Sequence, residues 1–182
     1  MALRDPQMQL THNDLPVFSV WLFEAALQTL IHQFKYEQHR RIGPWLGRAL
    51  AEAALRVEEI RDAEVLVPVP LHRRRQADRG FNQSELLAQG MISRIPGCRL
   101  CRPLRRVRYT QVQATLSREE RLRNVKGAFA LRPSGAEAVA GKMVVLVDDV
   151  FTTGSTLAEC ARVLQDAKPR KILAVTACRA RD

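Results

Sequence analysis

Apolar positions along the chain repeat with two different periods. Phe23, Leu27, Leu30, Ile31 and Phe34 fall at i, i+4, i+7, i+8 and i+11, the spacing of one helix face, and predict a first helix. Gly43-Pro44 breaks it. Leu46, Leu50, Ala53, Ala54 and Val57 repeat the stripe and predict a second helix. Glu64-Val-Leu-Val-Pro-Val-Pro70 reads as a short buried strand ending in a proline-limited turn, followed by a helix that Asn82 or Ser84 can cap, with Leu87 and Met91 at helical spacing. No clean period runs from Cys98 to Gln113; a strand over Leu100 to Val107 and then a loop is the expectation. Ser117 with Glu120 three residues on is a capping-box pattern, Gly127 to Leu131 a strand, and Arg132 to Gly135 a turn. Lys142 to Asp148 is the plainest strand, because Val144-Val-Leu-Val147 does not alternate and so should be buried on both faces. Leu157, Cys160, Ala161 and Leu164 form the stripe of a helix starting near Ser155, and Lys171 to Cys178 is a further buried strand. Strands alternating with helices predict an α/β fold, a parallel sheet flanked by helices. The expected division is a helical segment over 1–62 and a core over 63–182 within one compact domain.

Composition narrows the class. The chain has 182 residues, 46% apolar and 26% charged, which suits one domain with a real core. Leu15 to Phe34 is interrupted by Glu24, Gln28, His32 and Gln33, so no window approaches the roughly 18 apolar residues of a membrane span. Met1-Ala-Leu-Arg-Asp-Pro6 lacks the order of an export signal and four cysteines are too few for a disulfide scaffold, so the expected compartment is cytoplasmic. The net charge of +10 is segregated: residues 72–126 carry fourteen basic side chains against four acidic ones, and the remainder is neutral. A focused surface for an anion follows, with phosphate the natural choice for arginine's planar fork of donors.

Ligands of such sheets bind beyond the carboxyl ends of the strands. Val144-Val-Leu-Val-Asp-Asp-Val-Phe-Thr-Thr-Gly-Ser-Thr156 runs there from a buried strand through an acidic pair and a hydroxyl-rich loop into a helix start. Backbone N–H groups, hydroxyls and the positive helix end suit a phosphate monoester, Gly154 permits close approach of the backbone, and Asp148 and Asp149 can accept hydrogen bonds from sugar hydroxyls. Nucleoside triphosphatases also end a strand in acids, but no Walker A loop is present. A phospho-receiver domain would leave Thr152 to Thr156 without a role, and a plain helix cap needs Ser155 alone. A ribose 5-phosphate is the best fit.

The same segment resembles the phosphoribosyl pyrophosphate (PRPP) motif of type I phosphoribosyltransferases. Pro68-Val-Pro-Leu-His-Arg-Arg-Arg-Gln-Ala-Asp-Arg-Gly-Phe-Asn-Gln83, and Arg105-Arg-Val-Arg-Tyr-Thr-Gln-Val-Gln113 through Arg121-Leu-Arg-Asn-Val-Lys-Gly-Ala-Phe129, resemble the ComF (GntX-like) competence family, phosphoribosyltransferase-like proteins linked to uptake of transforming DNA. The likeness runs from about Leu30 to the C-terminus and includes Ile31 to Tyr36. It implies the type I phosphoribosyltransferase fold with a small N-terminal helical hood. It implies that Asp148 and Asp149 hold the ribose diol, and contact Mg²⁺ only through Mg·PRPP. Thr152, Thr153, Gly154, Ser155 and Thr156 would hold the 5-phosphate. Leu71, His72, Arg73 and Arg74 would form the pyrophosphate loop, supported by Arg79, Gly80, Asn82 and Gln83. Arg105 to Gln113 would close over the reacting centre, with Arg105, Arg106 and Arg108 as catalytic arginines that stabilise the leaving diphosphate. The partners implied are PRPP or another phosphoribosyl ligand, single-stranded DNA and proteins of the competence machinery. Phe81 and Tyr109 are the only aromatics between residues 72 and 126, so stacking platforms for bases are few. Many family members open with paired Cys-x-x-Cys motifs, whereas no cysteine here precedes Cys98 and Cys98-Arg-Leu-Cys101 lacks a second ligand pair, so zinc is not expected. Cys160 and Cys178 read as core, and His12, His32 and His39 have no partner pattern.

Overall fold

The computed structural model describes residues 6–36, 40–110 and 118–180. It opens on two strands, β1 (Gln7–Leu10) and β2 (Pro16–Leu22). Neither strand is foreseen in the helical segment expected over 1–62, whose first helix is read only from Phe23. Val17-Phe-Ser-Val-Trp21 is buried throughout, so β2 shows no polar alternation and its apolar run merges by eye into that of the helix after it. Helices α1 (Ala25–Tyr36), α2 (Ile42–Ala54) and α3 (Glu58–Arg61) follow. Gly43 and Pro44 stand inside the first turn of α2, where the N–H that proline lacks has no intrahelical partner anyway, so the pair begins a helix and does not merely end one.

The chain continues through β3 (Val65–Pro68), α4 (Arg73–Arg79), α5 (Gln83–Ile92), β4 (Arg99–Leu100), β5 (Leu104–Arg106), α6 (Arg118–Val125), β6 (Phe129–Leu131), α7 (Gly135–Val139), β7 (Met143–Phe151), α8 (Ser155–Gln165) and β8 (Lys171–Arg179). The single strand expected over Leu100 to Val107 is two. Pro103 has no N–H to extend a ladder, and its carbonyl instead accepts from Arg132 N at 2.7 Å, so β4 stays in the main sheet while β5 turns away to pair with β6. Ser117 of the expected capping box, Gln111 to Gln113 of the expected loop and His39 lie outside the described residues.

The main sheet has the order β1-β2-β8-β7-β3-β4, parallel throughout except for β1. Its two faces bury separate cores. Val145 and Val147 of β7 point with Leu66 and Val175 into the layer that holds Phe34, Leu46, Leu50, Leu87 and Met91 of α1, α2 and α5. Val144 and Leu146 point the other way, with Val67 and Ala174, into the layer of Leu157, Cys160 and Leu164 of α8 and of Leu104 and Phe129 from the β5–β6 hairpin. The unbroken apolar run of β7 is thus the signature of a central strand covered on both sides. Cys160 and Cys178 are buried in these cores. Among the described residues no helix is long and apolar enough to cross a membrane.

Candidate functional site

Beyond the carboxyl ends of β3 and β7 lies a cavity of about 340 Å³. Its walls come from the turn after β3, the inward face of α4, the start of α5, the end of β5 and the segment from β7 into α8. Strand β7 runs three residues past the expected end at Asp148, so Asp149 also sits on the strand, and Asp148 is in register with Thr176 of β8. Oδ1 of Asp148 accepts from Ser84 Oγ at 2.8 Å and from the N–H of Asp149 at 2.9 Å, which fixes the carboxylate's rotamer, and Asp149 is only 9% exposed. The chain then turns through Gly154, whose φ is 70° and where a Cβ would lie 2.7 Å from both Phe151 Cε2 and Thr11 Cγ2. Left-handed backbone and lack of room both require glycine there. Gly154 is also the N-cap of α8 and offers no side-chain acceptor, and Ser155, Thr156 and Leu157 of the helix's first turn line the cavity. Thr153 Oγ1 and Ser155 Oγ share a hydrogen bond of 2.7 Å.

Of the residues expected to bind ribose and 5-phosphate, Asp148, Asp149, Thr152, Gly154, Ser155 and Thr156 line the cavity; Thr153 does not, and is tied to it through its hydrogen bond with Ser155. The basic residues divide. The stretch Leu71 to Arg74, expected as a loop, runs into a helix: Arg73 and Arg74 begin α4 and are exposed, and with His72 they line a neighbouring groove. Arg75 and Arg79, one helical turn apart on α4, turn inward and line the cavity, as does Leu71. Arg79 Nη1 donates to Gln83 Oε1 at 3.2 Å, and Asn82 caps α5 by accepting from the N–H of Ser84 at 3.2 Å while its amide donates to the Val69 carbonyl at 2.9 Å. Gly80 ends α4 in the left-handed conformation that permits its turn.

The three arginines expected to be catalytic also part company. Arg106 reaches the cavity: its guanidinium lies 5.2 Å over the Phe129 ring, Nη2 donates to Thr110 Oγ1, and Nε is buried without a hydrogen-bond partner among the described residues. Burial lowers its pKa, and the nearby Arg75 pushes the same way while Asp148 opposes. Arg75 donates to the carbonyl of the same Thr110 at 2.8 Å, so two guanidinium groups converge on one neutral residue beside the cavity. Arg105 is exposed in the groove. Arg108 is in neither place, since its Nη2 donates to the carbonyls of Asn124 at 3.0 Å and Lys126 at 2.7 Å and closes the end of α6.

Sequence reasoning missed Phe23, Ser84 and Arg121 as site residues, and it placed Arg75 and Thr110 only within the basic turn and the closing loop, without their shared place beside the cavity. The i, i+4 spacing of Arg75 and Arg79 was the available signal for one of them, readable only once residues 73–79 are taken as helical. Mg²⁺ fits the donors that are present. Asp148 and Asp149 supply carboxylate oxygens, the donor type Mg²⁺ takes alongside substrate oxygens and water. Cys98 is half-buried, which pushes its thiol up to about 11 and leaves it protonated.

Residues 82–182 match the phosphoribosyl transferase domain family. The match contains Ser84, the carboxylate pair and the loop into α8, but not α4. The chain is 39% identical over 142 residues to competence protein F of Haemophilus influenzae, covering 76% of this chain and 62% of that one. It is 41% identical over 146 residues to the DNA utilization protein YhgH of Escherichia coli (strain K12), covering 78% and 62%. The chain thus spans less than two thirds of the length of these curated relatives. Among solved structures, the AQ2163 protein from Aquifex aeolicus is 18% identical with a TM-score of 0.48, over 88% of this chain and 76% of that chain.

Proposed function

Because the chain belongs to the phosphoribosyl transferase domain family, within its ComF group and with the type I phosphoribosyltransferase fold, we propose that the cavity binds Mg·PRPP or a similar ribose 5-phosphate ligand in the service of DNA uptake and natural transformation. One observation carries the reading: the carboxylate pair, with Asp148 held by Ser84, and the glycine-led start of α8 share a single cavity of about 340 Å³. Asp148 and Asp149 accept from the ribose hydroxyls, while Thr152 to Thr156 and the first turn of α8 take the 5-phosphate. The diphosphate extends toward Leu71, Arg75, Arg79 and Arg106, where the unpartnered Nε of Arg106 is a donor awaiting an acceptor. Bound Mg²⁺ supplies charge neutralisation for the diphosphate. If an acceptor attacks the anomeric carbon, the bond to the diphosphate oxygen breaks and charge grows on that oxygen; the arginines, fixed on Thr110 beforehand, stabilise it without reorganising.

Calorimetric titration with PRPP tests this. Wild type binds in the presence of Mg²⁺, and the double variant Asp148→Asn/Asp149→Asn loses that binding while keeping its far-ultraviolet spectrum. A wild type that ignores Mg·PRPP would overturn the reading. The segregated charge of residues 72–126 favours a second one, a non-catalytic factor that binds single-stranded DNA on the same scaffold.

A further inference from the structure

The turn that joins β1 to β2 is closed by its own bonds. Thr11 N–H donates to the Leu15 carbonyl at 3.2 Å, the Thr11 carbonyl accepts from Asp14 N–H at 3.1 Å, and Thr11 Oγ1 accepts from Leu15 N–H at 3.2 Å while donating to Asn13 Oδ1. Asp14 completes it with a φ of 58°, a left-handed conformation that aspartate tolerates. The turn also reaches outward. Asn13, oriented by the Thr11 hydroxyl, donates from Nδ2 to the Ala158 carbonyl of α8 at 3.2 Å, across 145 positions of the chain. Thr11 is 4% exposed, and its Cγ2 is one of the two atoms that a Cβ on Gly154 would overlap.

The two branches of the Thr11 side chain therefore have different tasks. The hydroxyl closes the turn, and a serine would close it equally well. The methyl adds nothing to those bonds; it fills the space against which Gly154 packs. Neither Thr11 nor Asn13 lines the cavity, whereas Gly154, Ser155 and Thr156 do. The family match over 82–182 contains that loop but neither of the two residues that hold it. A loop that offers backbone N–H groups to an anion must be fixed before the anion arrives, and what it packs on decides where it is fixed.

We infer that Thr11 and Asn13 are positioning residues for the 5-phosphate loop: the Thr11 methyl holds Gly154, and the Asn13 amide holds the first turns of α8, in the place that binds phosphate. This role rests on the ribose 5-phosphate reading above, and one arm of its test needs no ligand. The full chain is titrated calorimetrically with ribose 5-phosphate, melted in urea, and followed without ligand by hydrogen exchange at Ala158 N–H, which is bonded to the Gly154 carbonyl at 2.9 Å. Thr11→Ser keeps the turn bonds and a urea midpoint near that of wild type, yet weakens ribose 5-phosphate about fivefold or more and speeds exchange at Ala158 several-fold. Thr11→Val does the reverse: its methyl stays and affinity remains within about twofold, while Leu15 N–H loses its acceptor and the midpoint falls. Asn13→Ala, at an exposed side chain, weakens binding with little change in midpoint, and reads the same role should a Thr11 variant not fold. A merely structural Thr11 would make affinity follow stability, so that Thr11→Val binds worse than Thr11→Ser; that order would overturn the inference. Exchange at Ala158 that Thr11→Ser leaves unchanged would overturn it whatever the ligand does. A wild type that binds no ribose 5-phosphate, with exchange at Ala158 still responding to Thr11→Ser, would overturn the underlying reading and leave the packing of Gly154 on Thr11 standing.

Discussion

His72 owes its charge state to its neighbours. Its Nδ1 accepts from the N–H of Arg74 at 3.2 Å and so caps α4, which an imidazolium cannot do. Burial and the surrounding arginines lower its pKa from the ordinary 6.5. The sign follows from that direction: the neutral cap contributes fully above the unfolded value and is lost as pH falls below 6.5 and through the folded value. Nuclear magnetic resonance titration should therefore place His72 below 6.5, and His72→Asn, a cap of constant charge, should flatten the stability profile over that range. At this scale the loop Thr152 to Thr156 was legible in the sequence because its glycine and hydroxyls are neighbours in the chain. The bond from Ser84 to Asp148 was not, since it spans 64 positions and exists only because α5 starts against the end of β7.

The start of α5 is in turn held in place by the way two helices cross. A Cβ on Gly90 would overlap the Pro44 carbonyl, and one on Gly47 the Leu87 carbonyl, so α2 and α5 touch backbone to backbone. Gly90→Ala must push the helices apart. Overpacking of this kind costs about 1–3 kcal/mol, which a urea melt would read as a lowered midpoint. The same displacement draws Ser84 away from Asp148, so PRPP affinity should fall alongside stability. Periodicity identified α2, α5, α8, β3, β7 and β8 because each carries either a one-sided stripe or an unbroken apolar run. It failed at β2, which is apolar on both faces yet adjoins a helix, and at α4, whose arginine-rich turns have no apolar stripe and none of whose residues is buried.

Across the whole molecule the sheet is closed by segments far apart in the chain. β2 lies between β1 and β8, and Val17, Val20 and Trp21 are buried there. Deleting the residues before Phe23 strips β8 of its neighbour and exposes an apolar parallel edge; such a chain should lose its cooperative thermal transition and sediment as aggregate. The parallel α/β class was legible because strands and helices alternate after residue 63, but the place of β2 in the sheet depends on pairing that no local window contains. Ser19 and Thr176 share a buried hydrogen bond of 2.7 Å across 157 positions. On the ribosome this imposes an order of events: β1 and β2 leave the exit tunnel long before β8, the strand against which β2 settles, has been translated. Until then the apolar face of β2 is a natural client for a holding chaperone, because the strand that lets it settle is made more than 150 positions later.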